Sequence, residues 1–259
     1  FDQIESKDSD KVVIRSYDFR SIRIDGSVLN PGTYRMKEGD TMFDTIEKAG
    51  GFTKNAYPFG AVYTNNQAEL NNILAKEKLY NDLLDSLLVI SSSKGDMFET
   101  SGIIELLNQL KNTKTSGRIV VDVNDKNSDP ILVKNGDSIL IPEITNQVYV
   151  YGEVSSDGSV LFEEGKDATF YINKKGGHGT NSDLKNVYVL HPNGESIRIS
   201  RNKNVFTRQI KDVEIYPGSI IFVPRKIKNN SAALLRTQAY ATILGNLGVS
   251  LASLAVLKD

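Results

Sequence analysis

Residues able to carry covalent or acid–base chemistry are few here and scattered. The chain has no cysteine and two histidines, His178 and His191. A hydrolase or transferase needs a nucleophile, a base and an orienting group, or a metal set. Each histidine stands beside a turn glycine or proline, the setting of an exposed turn residue. The patterns HExxH, GxSxG and GxxxxGK[ST] do not occur. Asp125-x-Asn127-x-Asp129 imitates the start of a calcium loop, but Pro130 stands where that loop needs glycine and Gly136 where it needs glutamate. No catalytic residue, metal site or cofactor is therefore expected. Tyr149 and Tyr151 share one face of an apparent strand, with Phe162 on its partner strand and Tyr188 further on. Such rings can stack on pyranoses, but on strands they are more often half-buried packing.

Composition narrows the class further. Of 259 residues, 39% are hydrophobic and 24% charged, with a formal net charge of −1. That is an ordinary globular balance without the basic surplus of a nucleic-acid binder. Without cysteine, disulfide and zinc–thiolate readings are closed. The chain opens on Phe1, so an upstream domain or a removed signal peptide is expected.

Glycine spacing carries the organisation. The run from Gly26 to Gly51 and the run from Gly152 to Gly177 align without a gap at an offset of 126 residues, and all five glycines of the first fall on glycines of the second. Glycine marks places where the backbone needs φ > 0 or close approach, so matched glycines imply matched turns. Each unit should then comprise strand, turn, strand and short helix. In the first, Val12–Ser16 and Ser21–Asp25 read as strands, and Asn30-Pro31-Gly32 as a type II turn with Gly32 left-handed. Thr33–Met36 returns as a strand, and Thr41 caps a helix with Asp44 three residues on. Met42, Phe43, Ile46 and Ala49 form its buried face, and Gly50-Gly51 stops it. In the second, Val148–Val154 is a strand, Asp157-Gly158 a turn, Val160–Phe162 a strand, and a helix from about Thr169 to Lys175 stops at Gly176-Gly177. Both units end alike, in Gly136-Asp137-Ser138-Ile139-Leu140-Ile141-Pro142 and Gly218-Ser219-Ile220-Ile221-Phe222-Val223-Pro224. The order fits an α+β class of two tandem β-grasp-like domains. The expected divisions are 1–11 as the remnant of a preceding segment, 12–145 as the first domain, 146–228 as the second, and 229–259 as a C-terminal helix.

Only the first domain carries an insertion, at about 66–112. Asn66 with Glu69 reads as its cap, and Leu70, Ile73, Leu74, Tyr80, Leu83, Leu84, Leu87 and Leu88 recur at helical spacing. A break at Ser91–Gly95 precedes a shorter helix from Ile103 to Leu110. This helical hairpin is expected to pack on its own sheet, with a binding arm as the alternative.

The last segment contains no charged residue from Ala239 to Leu257. At about 100° per residue it sorts into three faces. Tyr240, Leu244, Leu247, Leu251 and Leu254 form a candidate lipid-facing stripe. Ala241, Gly245, Gly248, Ala252 and Ala255 form a small-residue stripe suited to a helix–helix seam. Thr242, Asn246, Ser250 and Ser253 form a polar face suited to a water-filled lumen. A helix over 231–257 is about 40 Å long against a bilayer core of about 30 Å. The alternative is a helix laid across its own domains, which the glycines favour by weakening helix propensity.

The run GSVLNPGTYRMKEGDTMFDTIEKAGGFT resembles the soluble-ligand-binding β-grasp (SLBB) domain of bacterial outer-membrane polysaccharide export proteins, the Wza-like family. It shares the G-x-V strand, the N-P-G-x-Y turn, the E-G-x-T helix start and the A-G-G-x-T stop. AYPFGAVYT, from Ala56 to Thr64, resembles the segment that follows this motif in larger members. The second unit departs: Asp157 replaces proline, and Lys175-Gly176-Gly177-His178 replaces A-G-G-[LF]. The resemblance implies a non-catalytic exporter of capsular or exopolysaccharide: a homo-oligomeric ring in the periplasm, commonly octameric, with terminal helices as staves of an outer-membrane α-helical pore. The partners it implies are further copies of the chain, the transported polysaccharide, an inner-membrane polysaccharide co-polymerase and the outer membrane of a Gram-negative bacterium. The competing reading is a soluble periplasmic carbohydrate-binding module whose last helix packs on its own domains.

Overall fold

The computed structural model describes residues 20–92, 97–121, 123, 130–199, 213–226, 239–240 and 242–243, with backbone alone for 90–92 and 97–102. Strand β1 (Ser21–Gly26) alternates buried Ile22 and Ile24 with polar Arg23 and Asp25, and pairs antiparallel with β2 (Gly32–Arg35). Helix α1 (Met42–Lys48) begins in a capping box: the Thr41 hydroxyl accepts from the Asp44 N–H, and the Asp44 carboxylate accepts from the Thr41 N–H at 2.8 Å. It ends in a Schellman pair, with the Gly51 N–H on the Ile46 carbonyl and the Gly50 N–H on that of Glu47, both glycines at positive φ. Met42, Ile46 and Ala49 are buried, while Phe43 is only partly so.

Two hydrogen bonds from Thr41 to the Asp44 carboxylate, from the backbone N–H first and from the hydroxyl at 2.7 Å second, hold that carboxyl below its ordinary pKa. A depressed folded value means stability gained above the unfolded pKa and lost as pH falls through the folded one. Asp44→Ala should therefore melt earlier than the parent chain at pH 7, and the gap should narrow as the pH falls below the ordinary carboxylate range. Thermal melts across an acid pH series measure this.

After a 3-10 turn at Pro58–Gly60 come β3 (Val62–Thr64), β4 (Arg118–Ile119) and β5 (Ser138–Ile141). They complete a mixed sheet of order β2-β1-β5-β3-β4, in which β5 runs parallel to β1. The second half repeats the plan with β6 (Gln147–Gly152), β7 (Gly158–Leu161), α4 (Ala168–Lys174), β8 (Val187–Leu190), β9 (Ser196–Ile199) and β10 (Ile220–Val223). Its order is β7-β6-β10-β8-β9, again with one parallel pair, β6 and β10. Asp167 caps α4, and Gly176 and Gly177 repeat the Schellman pair. The chain is thus α+β, with two mixed sheets of one topology.

Sequence and structure differ at the first turn. Gly32 does not occupy the left-handed region, whereas Gly26 does, at φ +83°. A Cβ at Gly26 would lie 2.1 Å from the Ile141 carbonyl oxygen, and at Gly152 2.2 Å from that of Val223. The tight point is therefore the crossing of the central parallel pair, with a longer connection from β1 to β2. Gly158, the counterpart of Gly32, is at φ +127°. The strand expected at Val12–Ser16 and the loop at Asp125–Asp129 lie outside the described residues.

The insertion forms α2 (Asn66–Ser92) and α3 (Met97–Asn112). Its cap is Asn65 instead of Asn66: the Asn65 Oδ1 accepts from the Gln67 and Ala68 N–H groups at 2.9 and 3.1 Å. The larger correction concerns what the hairpin covers. Leu79, Leu83, Ile103, Leu106 and Leu110 form one core with Tyr188, Leu190 and Ile220 of the second sheet, flanked by Tyr149, Tyr151 and Phe222. The first sheet cannot receive them. Where the second sheet presents Tyr149, Tyr151, Leu190, Ile220 and Phe222, register places Arg23, Asp25, Thr64, Ser138 and Leu140 on the first. An apolar stripe gains by leaving water only against an apolar face. The second sheet is buried on both sides, its other face packing on α4 through Val148, Val150, Val189 and Ile221.

Candidate functional site

The tyrosine face is already occupied. Tyr149 and Tyr151 lie parallel, 6.5 Å apart, but they pack under the helical hairpin, and Tyr188 is 3% exposed. Phe162 belongs to the opposite face, beside α4. The four rings do not form one stacking platform.

The same face seats the start of the last segment. Ala239 and Tyr240 are helical and buried, with the Tyr240 ring 5.8 Å from that of Tyr188 and 5.2 Å from that of Phe222. Tyr240, read from the sequence as lipid-facing, instead meets the chain's own second sheet, because ring faces there offer it an apolar seat. Thr242 and Ile243 are half-buried. The other residues of the three stripes, from Ala241 and Leu244 to Ala255, lie outside the described residues. Among the described residues no helix is long and apolar enough to cross a membrane. Beside Tyr240 is a small cavity of about 200 Å³. At its rim Arg225 lies 3.6 Å from both Glu105 of α3 and Glu153. Tyr240→Ala should lower stability by about 2 kcal/mol, the value of burying one large side chain. It should also speed proteolysis after residue 226, which timed digestion followed by mass spectrometry would detect.

His178 is exposed, whereas His191 is buried, contrary to its reading as an exposed turn residue. His191 stands edge-on to Tyr216 at 5.1 Å, with Nδ1 3.4 Å from the Ser219 hydroxyl. Tyr216 in turn meets Phe59 of the first half at 4.7 Å. Near this seam Arg118 donates from Nη2 to the Pro192 carbonyl, and burial lowers its pKa to about 10. A Cβ on Gly194 would come within 2.7 Å of the guanidinium. These groups join the halves, and the His191–Ser219 contact lies buried at their seam, where the Ser219 hydroxyl also accepts from the Tyr216 N–H at 3.1 Å.

Positions 65 and 137 of the first unit correspond to His191 and Ser219, and there the structure builds a different arrangement. The Asp137 carboxylate, 2% exposed, accepts from the Tyr63 hydroxyl, the Asn65 amide at 2.6 Å and the Lys134 N–H at 2.7 Å. Burial, with its bond to Asp137 second, pushes the Tyr63 phenol well above its usual range. This network floors a cleft of about 410 Å³ between the first turns of α2 and the edge strand β4. Its rim includes Gln67, Asn71, Ile119, Val120, Leu132 and Lys134. Sequence reasoning missed all of these, although a buried aspartate inside Gly136-Asp137-Ser138 was a signal that a partner network existed. Among the described residues no group of acidic or histidine side chains could hold a metal.

Two comparisons bear on these features. Residues 21–63, from β1 into β3, match the SLBB domain family. Two polysialic acid transport proteins KpsD of Escherichia coli are each 25% identical to this chain over 233 residues, 88% of its length. The chain spans 39% of the length of those relatives. Both comparisons uphold the resemblance read from the glycine motif: residues 21–63 match the SLBB domain family, and most of the chain is similar to polysialic acid transport proteins.

Proposed function

We propose that the chain is part of a non-catalytic component of a polysaccharide export translocon in the Gram-negative envelope, acting in the periplasm and at the outer membrane. The observation that carries this is the KpsD similarity, which extends over 88% of the chain and so across both sheets. In this reading 12–145 and 146–228 are two β-grasp-like domains that stack as ring material, and copies of the chain are its first partners. The segment 229–259 supplies staves of a pore, with Gly245 and Gly248 in the seam between neighbours. The transported ligand is a capsular or exopolysaccharide, delivered from an inner-membrane co-polymerase. Restoring the full-length protein to a deletion strain of the source bacterium should return polymer to the cell surface. Unchanged surface polymer in the deletion strain would count against export.

The burial of Ala239 and Tyr240 on the second sheet favours a second reading. In it the chain is a soluble carbohydrate-binding module whose tail packs on its own core. Gly248→Leu separates the two: it breaks assembly and leaves the sheets folded if the seam exists, and changes nothing in a module without one.

A further inference from the structure

We infer that the cleft between the start of α2 and the edge strand β4 binds a short stretch of an acidic, hydroxyl-rich glycan. The ligand class rests on the polysaccharide reading above, and the place rests on the cleft itself. One wall is aliphatic: Ile119, Val120 and Leu132 are 37%, 55% and 58% exposed. Such an apolar patch, bordered by polar groups, suits the C–H face of a sugar ring. The opposite wall offers two side-chain amides one helical turn apart, with the Gln67 Nε2 donating to the Asn71 Oδ1 at 3.2 Å. That bond uses one donor and one acceptor. A carbonyl on Gln67 and an amino group on Asn71 remain to accept from and donate to sugar hydroxyls.

Charge selects within this class. Among the described residues that line it, Lys134 alone is charged. The Asp137 carboxylate beneath is enclosed by its three donors, so the cleft presents a cation to an incoming carboxylate. The same network fixes Asn65, and with it the first turn of α2, which keeps both walls in place before a ligand arrives. Gly117 lets them approach: a Cβ there would lie 2.2 Å from the Asn65 carbonyl oxygen. The second unit has no counterpart, because β8 returns to β9 through the turn at His191–Glu195 with no helix to supply an amide wall. Its volume lies within the roughly 300–1,000 Å³ typical of small-molecule sites.

The test is titration of the intact 259-residue chain with a sialic acid tetramer and, separately, a glucose tetramer, read by amide NMR. The sialic acid tetramer should shift the side-chain amide signals of Gln67 and Asn71. Val120→Asp should weaken binding at least about tenfold by placing a charge on the apolar wall. Lys134→Met should weaken it about threefold, as fits a solvent-exposed charge. Unmoved signals from β6 to β10 verify that both variants fold. Gln67 and Asn71 signals that stay still would overturn the site, and equal binding of both tetramers with Lys134→Met silent would overturn its acidic preference. A silent cleft in a protein that restores export removes the site alone. Cleft binding in a protein irrelevant to export removes the export reading alone.

Discussion

Leu83→Ala should cost about 3 kcal/mol, within the range for deleting a buried leucine side chain, and the loss should appear in the half of the chain that does not contain the mutation. Leu83 is fully buried on α2, yet the core it belongs to takes in Tyr188, Leu190 and Ile220 of the second sheet. Truncation opens a cavity between the hairpin and that sheet. Hydrogen exchange should accelerate along β6, β8 and β10 while β1 and β5, whose core lies on the opposite side of their own sheet, keep their protection. Leu88→Ala is the control: that leucine is 66% exposed, and its loss should fall within about 0.5 kcal/mol. Loss of protection confined to β1 and β5 would mean that the hairpin serves its own sheet after all.

A second large effect is expected where the central parallel strands cross. Gly26→Ala and Gly152→Ala should each destabilise by about 3 kcal/mol, since the new Cβ meets a backbone carbonyl at a φ that side chains rarely adopt. The obstructing atoms are the carbonyl oxygens of Ile141 and Val223, at 2.1 and 2.2 Å, which cannot swing away without disturbing the parallel pair. Gly39→Ala and Gly165→Ala share the positive φ but meet nothing within 4 Å, so about 1 kcal/mol of backbone strain is their whole cost. Denaturant midpoints for the four variants should separate into two pairs. Four equal costs would show that φ alone matters.

Much of this fold was legible because its signals are local. Thr41 with Asp44, and Gly50 with Gly51, specify a helix start and stop within a few residues, and the offset of 126 residues that matched the glycines also matches β1 to β6, β2 to β7 and α1 to α4. The partner of the helical hairpin was harder to see because it is a long-range matter. It was nevertheless written in strand patterning: Gln147-Val-Tyr-Val-Tyr and Ile220-Ile-Phe-Val are apolar on both faces, the mark of a strand covered twice, whereas Ser21-Ile-Arg-Ile-Asp is apolar on one. Gly32 misled because Asn-Pro-Gly fits a tight turn in isolation, while the register Ile24↔Gly32 already places Gly32 in the strand. The cleft escaped because its walls come from α2, β4 and the segment before β5, which meet only through the sheet order. Asn65 looked like the residue before a cap, when it is the cap and a partner of Asp137 as well.

The proposal that copies of this chain build a conduit is tested most directly by the mass of the assembly. Native mass spectrometry of the full-length protein, extracted from envelopes in mild detergent, should give one dominant species at a whole-number multiple of the protomer, lost in Gly248→Leu. A protomer that stays single in detergent and partitions away from membranes would contradict it.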